Sequence, residues 1–255
     1  MGSMDMTGRT RTGRIAIGMG CFAAAVLMAF AWLGYLGGDP FEIMPGVSMA
    51  GRPGVSPQTD VAAVMLSGDM GFRVGMGPQI TKRLVAHGIT VVGINSLAAF
   101  RTTRTPAQAT ALIVTAMHKA LALDHIRRVV LIGQSYGADM LHVGLAGLPQ
   151  SLRKIVPLVV LVVPGATVEY RASPSEILTF AMPEADAMPT ARKLDWVPML
   201  CLYGREEPAS LCPLLHQPNA QVIGMAGGHP LHYDGDGVYA HIAAAMARAG
   251  IVQKP

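Results

Sequence analysis

Charge, aromatic rings and cysteine are all scarce in this chain of 255 residues. Only 14% of the side chains are charged and 51% are hydrophobic, which excludes a disordered chain, because there is ample apolar surface to bury. Phe, Trp and Tyr together make up 5%, too little for the stacking platform that single-stranded nucleic acid needs. Three cysteines cannot frame a disulfide scaffold, and the 29 glycines and 18 prolines follow no collagen period. The formal charge is +4, and half of that excess comes from Arg9, Arg11 and Arg14 against Asp5. What remains is evenly mixed and gives no electrostatic footprint for DNA or RNA.

One long hydrophobic run is present. No charge occurs from Ile15 to Leu36, a stretch long enough to span about 30 Å of hydrocarbon, and residues 1–14 before it carry the three arginines. That arrangement predicts a cytoplasmic N-terminus with the rest of the chain on the far side of a membrane, the periplasm in a bacterium. Residues 15–36 are expected to act either as a retained anchor or as a signal peptide cleaved near Ala29-Phe30-Ala31. Cys21 lies inside the run. Cys201 and Cys212 therefore form the natural pair in an oxidising compartment, two separate buried thiols being the alternative.

Residues 37–58, rich in Gly and Pro and without sustained periodicity, read as a linker to a domain over 59–255. From Val61 short apolar runs alternate with helical patterns: Val61–Leu66, a helix over 79–87, a strand over 90–94, a helix over 105–123 and a strand over 128–132. This predicts an α/β domain with a mostly parallel sheet covered by helices on both faces. Strands over 156–163, 198–203 and 220–225 and a closing helix over 238–248 complete it. Residues 166–196 show no strand pattern and are expected to form an irregular or helical insertion above the sheet.

The most informative segment is Gly133-Gln134-Ser135-Tyr136-Gly137, a G-x-S-x-G placed between a buried strand and a helix. A sharp strand-to-helix turn presents the serine hydroxyl at the helix N-terminus and demands small neighbours on either side. Serine is a weak nucleophile at neutral pH and needs a histidine base oriented by a carboxylate, in the chain order Ser, acid, His. His229 follows the last strand directly, in Gly227-Gly228-His229, with His232 in reserve. Glu206 and Glu207 follow the strand before it, and Glu207 has the usual spacing of three from Gly204. An oxyanion hole would use the backbone N–H of Tyr136 and one near Asp69, in the loop after the first of these strands. The carboxylates of Asp69 and Asp139 are candidates for binding a cationic substrate group; for Asp139, at the start of a helix, favourable interaction with the helix dipole is an equal alternative.

The ordered motifs SGDMGF at 67–72, GINSLAAF at 93–100, GQSYGAD at 133–139, CLYGREE at 201–207 with Cys212, and GGH at 227–229 resemble the VirJ/AcvB family. The resemblance implies an α/β-hydrolase fold, a periplasmic location, association with type IV secretion and, for the AcvB-like members, hydrolysis of aminoacylated phosphatidylglycerol such as lysyl-phosphatidylglycerol. Ser135 and His229 coincide with the family serine and histidine. Met70, Phe72, Pro230 and Leu231 depart from the family pattern around the pocket and bear on the substrate rather than on the nucleophile.

The sequence thus predicts an exported serine hydrolase acting on a lipid or small ester, with Ser135, His229 and Glu207 as catalytic residues. It implies no metal, no organic cofactor and no nucleic acid, and places the protein at the inner membrane, with type IV secretion components as the partners that the family resemblance implies. Two rivals remain: a non-catalytic accessory protein on a hydrolase scaffold, and a general small-ester hydrolase.

Overall fold

The computed structural model of the chain describes residues 7–47, 60–172 and 183–251. In chain order its elements are α1 (Thr7–Trp32), β1 (Phe41–Met44), β2 (Val61–Leu66), α2 (Gly77–Ala86), β3 (Val91–Ile94), α3 (Ser96–Ala99) and α4 (Pro106–Leu121). There follow β4 (Arg128–Gln134), α5 (Tyr136–Leu145), α6 (Gln150–Arg153), β5 (Val159–Val162), β6 (Thr167–Val168), β7 (Ala185–Asp186), α7 (Met188–Ala191), β8 (Met199–Gly204), β9 (Ala220–Met225) and α8 (Gly235–Arg248).

Seven strands form one sheet in the order β1-β3-β2-β4-β5-β8-β9. All neighbours are parallel except β1, which runs antiparallel to β3 with Phe41 opposite Ile94. Every residue of β2 is buried, which is why a strand of this kind reads as a continuous apolar run rather than as an alternation. Ala62, Val64 and Leu66 meet Ile113 and Met117 of α4 on one face; Val61, Ala63 and Met65 meet Ile80 and Leu84 of α2 and Ile242 of α8 on the other. Each fully buried Leu or Ile in these layers contributes about 2 kcal/mol of transfer free energy. Helix α4 starts where its sequence directs: the Thr105 hydroxyl accepts from the Gln108 N–H, the Gln108 side chain returns the bond, and Pro106 occupies the first turn.

Two expectations are corrected. The stretch read as linker contains β1, an edge strand too short to show a period; residues 48–59 lie outside the described residues. The insertion carries a two-stranded antiparallel ribbon, β6 with β7, and the helical turn α7, again below the length that patterning detects; residues 173–182 of it lie outside the described residues. The apolar run at 15–36 is helical as far as Trp32, then turns; among the described residues no helix is long and apolar enough to cross a membrane.

Candidate active site

Ser135 sits between β4 and α5 with φ 53° and ψ −129°, a conformation costly for a residue with a Cβ. Its N–H donates to Val162 O at 2.8 Å, which ties the turn to β5. Glycine is required on both sides for a steric reason. A Cβ on Gly133 would lie 2.5 Å from Ala138 Cα, and one on Gly137 would lie 2.2 Å from the Ser67 carbonyl oxygen. The backbones are in contact, and the serine is held over the carboxyl edge of the sheet.

The loops after β8 and β9 bring the other two groups to it. Ser135 Oγ lies 2.7 Å from His229 Nε2, and His229 Nδ1 lies 2.6 Å from Glu207 Oε1. With the imidazole proton on Nδ1, the hydroxyl donates to Nε2 and Nδ1 donates to the carboxylate. Glu207 is 13% exposed in its side chain against 45% for His229, so the carboxylate is the sheltered end of the chain of bonds. Such a chain can remove the hydroxyl proton while the carboxylate stabilises the resulting imidazolium. Glu206 is exposed and its backbone N–H donates to Gly227 O at 3.1 Å, which joins the two loops and leaves Glu207 facing inward. His232 is also exposed, in a left-handed turn in which Leu231, His232 and Tyr233 all have positive φ, and its ring stands over Gly227 rather than at the serine. A disulfide joins Cys201 in β8 to Cys212, with a Cα separation of 5.5 Å, and closes the loop that carries Glu207.

Tyr136 heads α5, where backbone N–H groups point toward the serine side of the helix terminus, and its ring meets Phe100 edge-on at 5.6 Å. Asp69 lies in the loop after β2. Burial pushes its carboxyl pKa up, opposed by hydrogen bonds from the N–H groups of Asp69 and Met70 and by the charge of His229. Asp139 is placed differently from the expectation of a substrate-facing acid: its Oδ1 accepts from the Gly165 N–H at 2.9 Å, so it fastens the loop after β5.

Several contributors were not singled out in the sequence. Ser67 and Ser96 are fully buried and clasp each other: Ser96 Oγ donates to Ser67 O at 2.6 Å, and Ser96 N–H donates to Ser67 Oγ at 3.0 Å. This holds the start of the Asp69 loop. Asn95 caps α3 through Ala98 N–H, a role its place between a strand and a helix signals.

A mostly parallel sheet with helices on both faces and a strained serine after its central strand defines an α/β-hydrolase fold. Residues 60–250 match the family described as bacterial virulence protein (VirJ), and the chain belongs to that family. No curated protein matches the sequence. Solved structures resemble it in fold: Est1E from Butyrivibrio proteoclasticus with ferulic acid bound has 13% identity and TM-score 0.54, covering 81% of this chain and 96% of that one. An esterase from Pyrococcus furiosus has 14% identity and TM-score 0.57 over 74% and 82% of the two chains. A Xanthomonas campestris α/β serine hydrolase without a lid has 14% identity and TM-score 0.54 over 84% and 90%.

Proposed function

We propose that this chain is an exported serine hydrolase that cleaves an aminoacyl ester of phosphatidylglycerol, of the lysyl-phosphatidylglycerol kind. The observation that carries the hydrolase chemistry is the pair of hydrogen bonds, 2.7 and 2.6 Å, linking Ser135 to His229 and His229 to Glu207; the aminoacyl lipid as substrate rests on the resemblance to the AcvB-like members. Ser135 Oγ attacks the ester carbonyl as His229 Nε2 takes its proton, and Glu207 steadies the imidazolium. The N–H of Tyr136 and one from the Asp69 loop hold the oxyanion. Collapse of the tetrahedral adduct breaks the ester bond, and His229 returns the proton to the departing lipid hydroxyl. Water, deprotonated in turn by His229, then releases the amino acid and restores Ser135. An ammonium group on the aminoacyl moiety would offer the Asp69 carboxylate a partner. The Cys201–Cys212 disulfide suits an oxidising compartment. Residues 15–36 would hold the protein at the periplasmic face of the inner membrane or be cleaved to release it there, in a setting associated with type IV secretion.

The test is covalent labelling of the full chain by a fluorophosphonate, together with release of lysine from liposomes containing the lysyl lipid. The parent is expected to be labelled and to release lysine, and Ser135→Ala to do neither. A parent chain that takes no label and turns over no ester would leave the binding-accessory reading in its place.

A further inference from the structure

Helix α1 ends on the edge of the sheet that carries Ser135. Its last turn closes with Gly34 at φ 85°, the Tyr35 N–H donating to Phe30 O at 2.9 Å and the Gly34 N–H to Ala31 O at 3.0 Å, a six-residue and a four-residue closure that stop the helix rigidly. Asn95, at the carboxyl end of β3, donates from Nδ2 to Leu33 O at 3.1 Å and from its backbone N–H to Pro40 O at 2.8 Å. Leu33 is buried, and the Arg73 guanidinium stands 5.4 Å from the Trp32 ring centroid. Arg73 belongs to the stretch that follows β2 and contains Asp69. The eight residues between α1 and β1 are tied to the body at both ends, at Leu33 O and Pro40 O by Asn95, and between them at Tyr35 O by Arg101 Nη1 at 3.5 Å. The orientation of the helix relative to Ser135 is fixed by the body itself.

Ahead of that attachment the described side chains of α1 from Ile17 to Ala29 are exposed. Residues 19–29 are all exposed, and Ile17, Met19, Phe22, Leu27, Met28 and Trp32 are distributed around the whole circumference rather than along one stripe. A protein groove covers one side of a helix, and an amphipathic helix has a polar side to leave in water; this helix has neither need met. A medium that surrounds it on all sides is lipid. Trp32 and Tyr35, at the end where the body begins, are the residue types that settle at the membrane–water boundary. Exposed Arg73, Arg101 and Arg205, scattered in the sequence, are brought by the fold to loops on the carboxyl side of the sheet, where anionic phospholipid headgroups would meet them.

We propose that the carboxyl edge of the sheet, with Ser135 and His229, is held facing a lipid bilayer in which the apolar circumference of α1 is seated, so that the site receives substrate from the membrane surface rather than from solution. The proposal deepens the hydrolase reading and relies on it for the chemistry, but the orientation is a separate property and is measured separately.

The experiment uses the full chain with Cys21→Ser, in vesicles of phosphatidylethanolamine and phosphatidylglycerol containing a headgroup-labelled quencher lipid. A fluorophore is attached at Tyr233→Cys, on the Ser135 edge, or at Asp124→Cys, in the loop before β4 on the opposite edge. Quenching several-fold stronger at position 233 than at 124 is expected. A flexible Gly-Ser insertion between Leu36 and Gly37 should abolish that difference and reduce turnover of a lipid ester several-fold, with a water-soluble ester unaffected. Equal quenching at the two positions, stronger quenching at 124, or a chain that does not bind the vesicles overturns the proposal. Fluorophosphonate labelling of the same samples reports on the hydrolase reading alone, so loss of one result leaves the other standing.

Discussion

Gly204 and Gly228 meet backbone to backbone: a Cβ on Gly204 would lie 2.2 Å from the Gly228 carbonyl oxygen. One residue ends β8 and leads to Glu207; the other immediately precedes His229. Their contact sets the distance between acid and base before any side chain is considered. Gly204→Ala is expected to force the loops apart, lowering stability by about 2 kcal/mol through overpacking and lowering kcat by more than Gly20→Ala, whose Cβ would meet nothing within 4 Å on ordinary helical backbone. Urea denaturation and ester turnover on the two variants measure both effects.

Removal of one member of the Ser135–His229–Glu207 chain should cost nearly as much as removal of another. Ser135→Ala and His229→Ala are each expected to lower kcat at least about 10³-fold while remaining folded. Glu207→Gln should lose far more than Glu206→Gln, because only the Glu207 carboxylate reaches Nδ1. Equal losses at 206 and 207 would show that the acid has been assigned to the wrong residue.

Asp69 and Asp139 should separate when the charge of the substrate is varied. Asp69→Asn is expected to raise KM for the lysyl lipid far more than for a neutral ester, since a desolvated charge pair is lost only with the cation. Asp139→Ala should depress all esters alike and lower stability by about 1 kcal/mol, because its carboxylate holds the Gly165 N–H. Liposome release assays on both lipids, beside a melting curve, distinguish the two patterns.

The disulfide links positions eleven apart in sequence. Closing a loop of that size is expected to contribute on the order of 3 kcal/mol, so Cys201→Ala with Cys212→Ala should melt earlier and hold Glu207 less firmly. Alkylation of the non-reduced protein should modify neither position; recovery of two alkylated thiols there would remove the bridge.

His142 in α5 is wholly buried, with Nδ1 2.8 Å from Thr190 Oγ1 of α7, and burial lowers its pKa from 6.5 to about 3. The unfolded chain takes up a proton as pH falls through its ordinary value, and the folded chain does not until the lowered one. The stability this group provides is thus complete above the ordinary value and is lost on acidification, at up to about 1.4 kcal/mol per pH unit. His142→Gln should flatten the acid limb of the unfolding free energy against pH; an unchanged limb would place the proton uptake elsewhere.

The order of strands and helices from Val61 onward, the elbow at Ser135 and the histidine after the last strand were legible along the chain because their causes are local. A strand buried on both faces must be a continuous apolar run, a helix on a sheet must repeat its apolar face, and a serine in a sharp turn must have small neighbours. The Cys201–Cys212 pairing was legible too, by elimination of Cys21. Other features depend on contacts between segments far apart in sequence, which no pattern within one segment encodes. Glu207 prevails over Glu206 because Glu206 N–H meets Gly227 O across two loops. Asp139 turns to Gly165 because α5 packs beside the end of β5. Residues 41–44 become a strand only because β3 offers an open edge, and through that pairing and Asn95 the end of the apolar helix is tied to the carboxyl end of β3 instead of trailing on a linker.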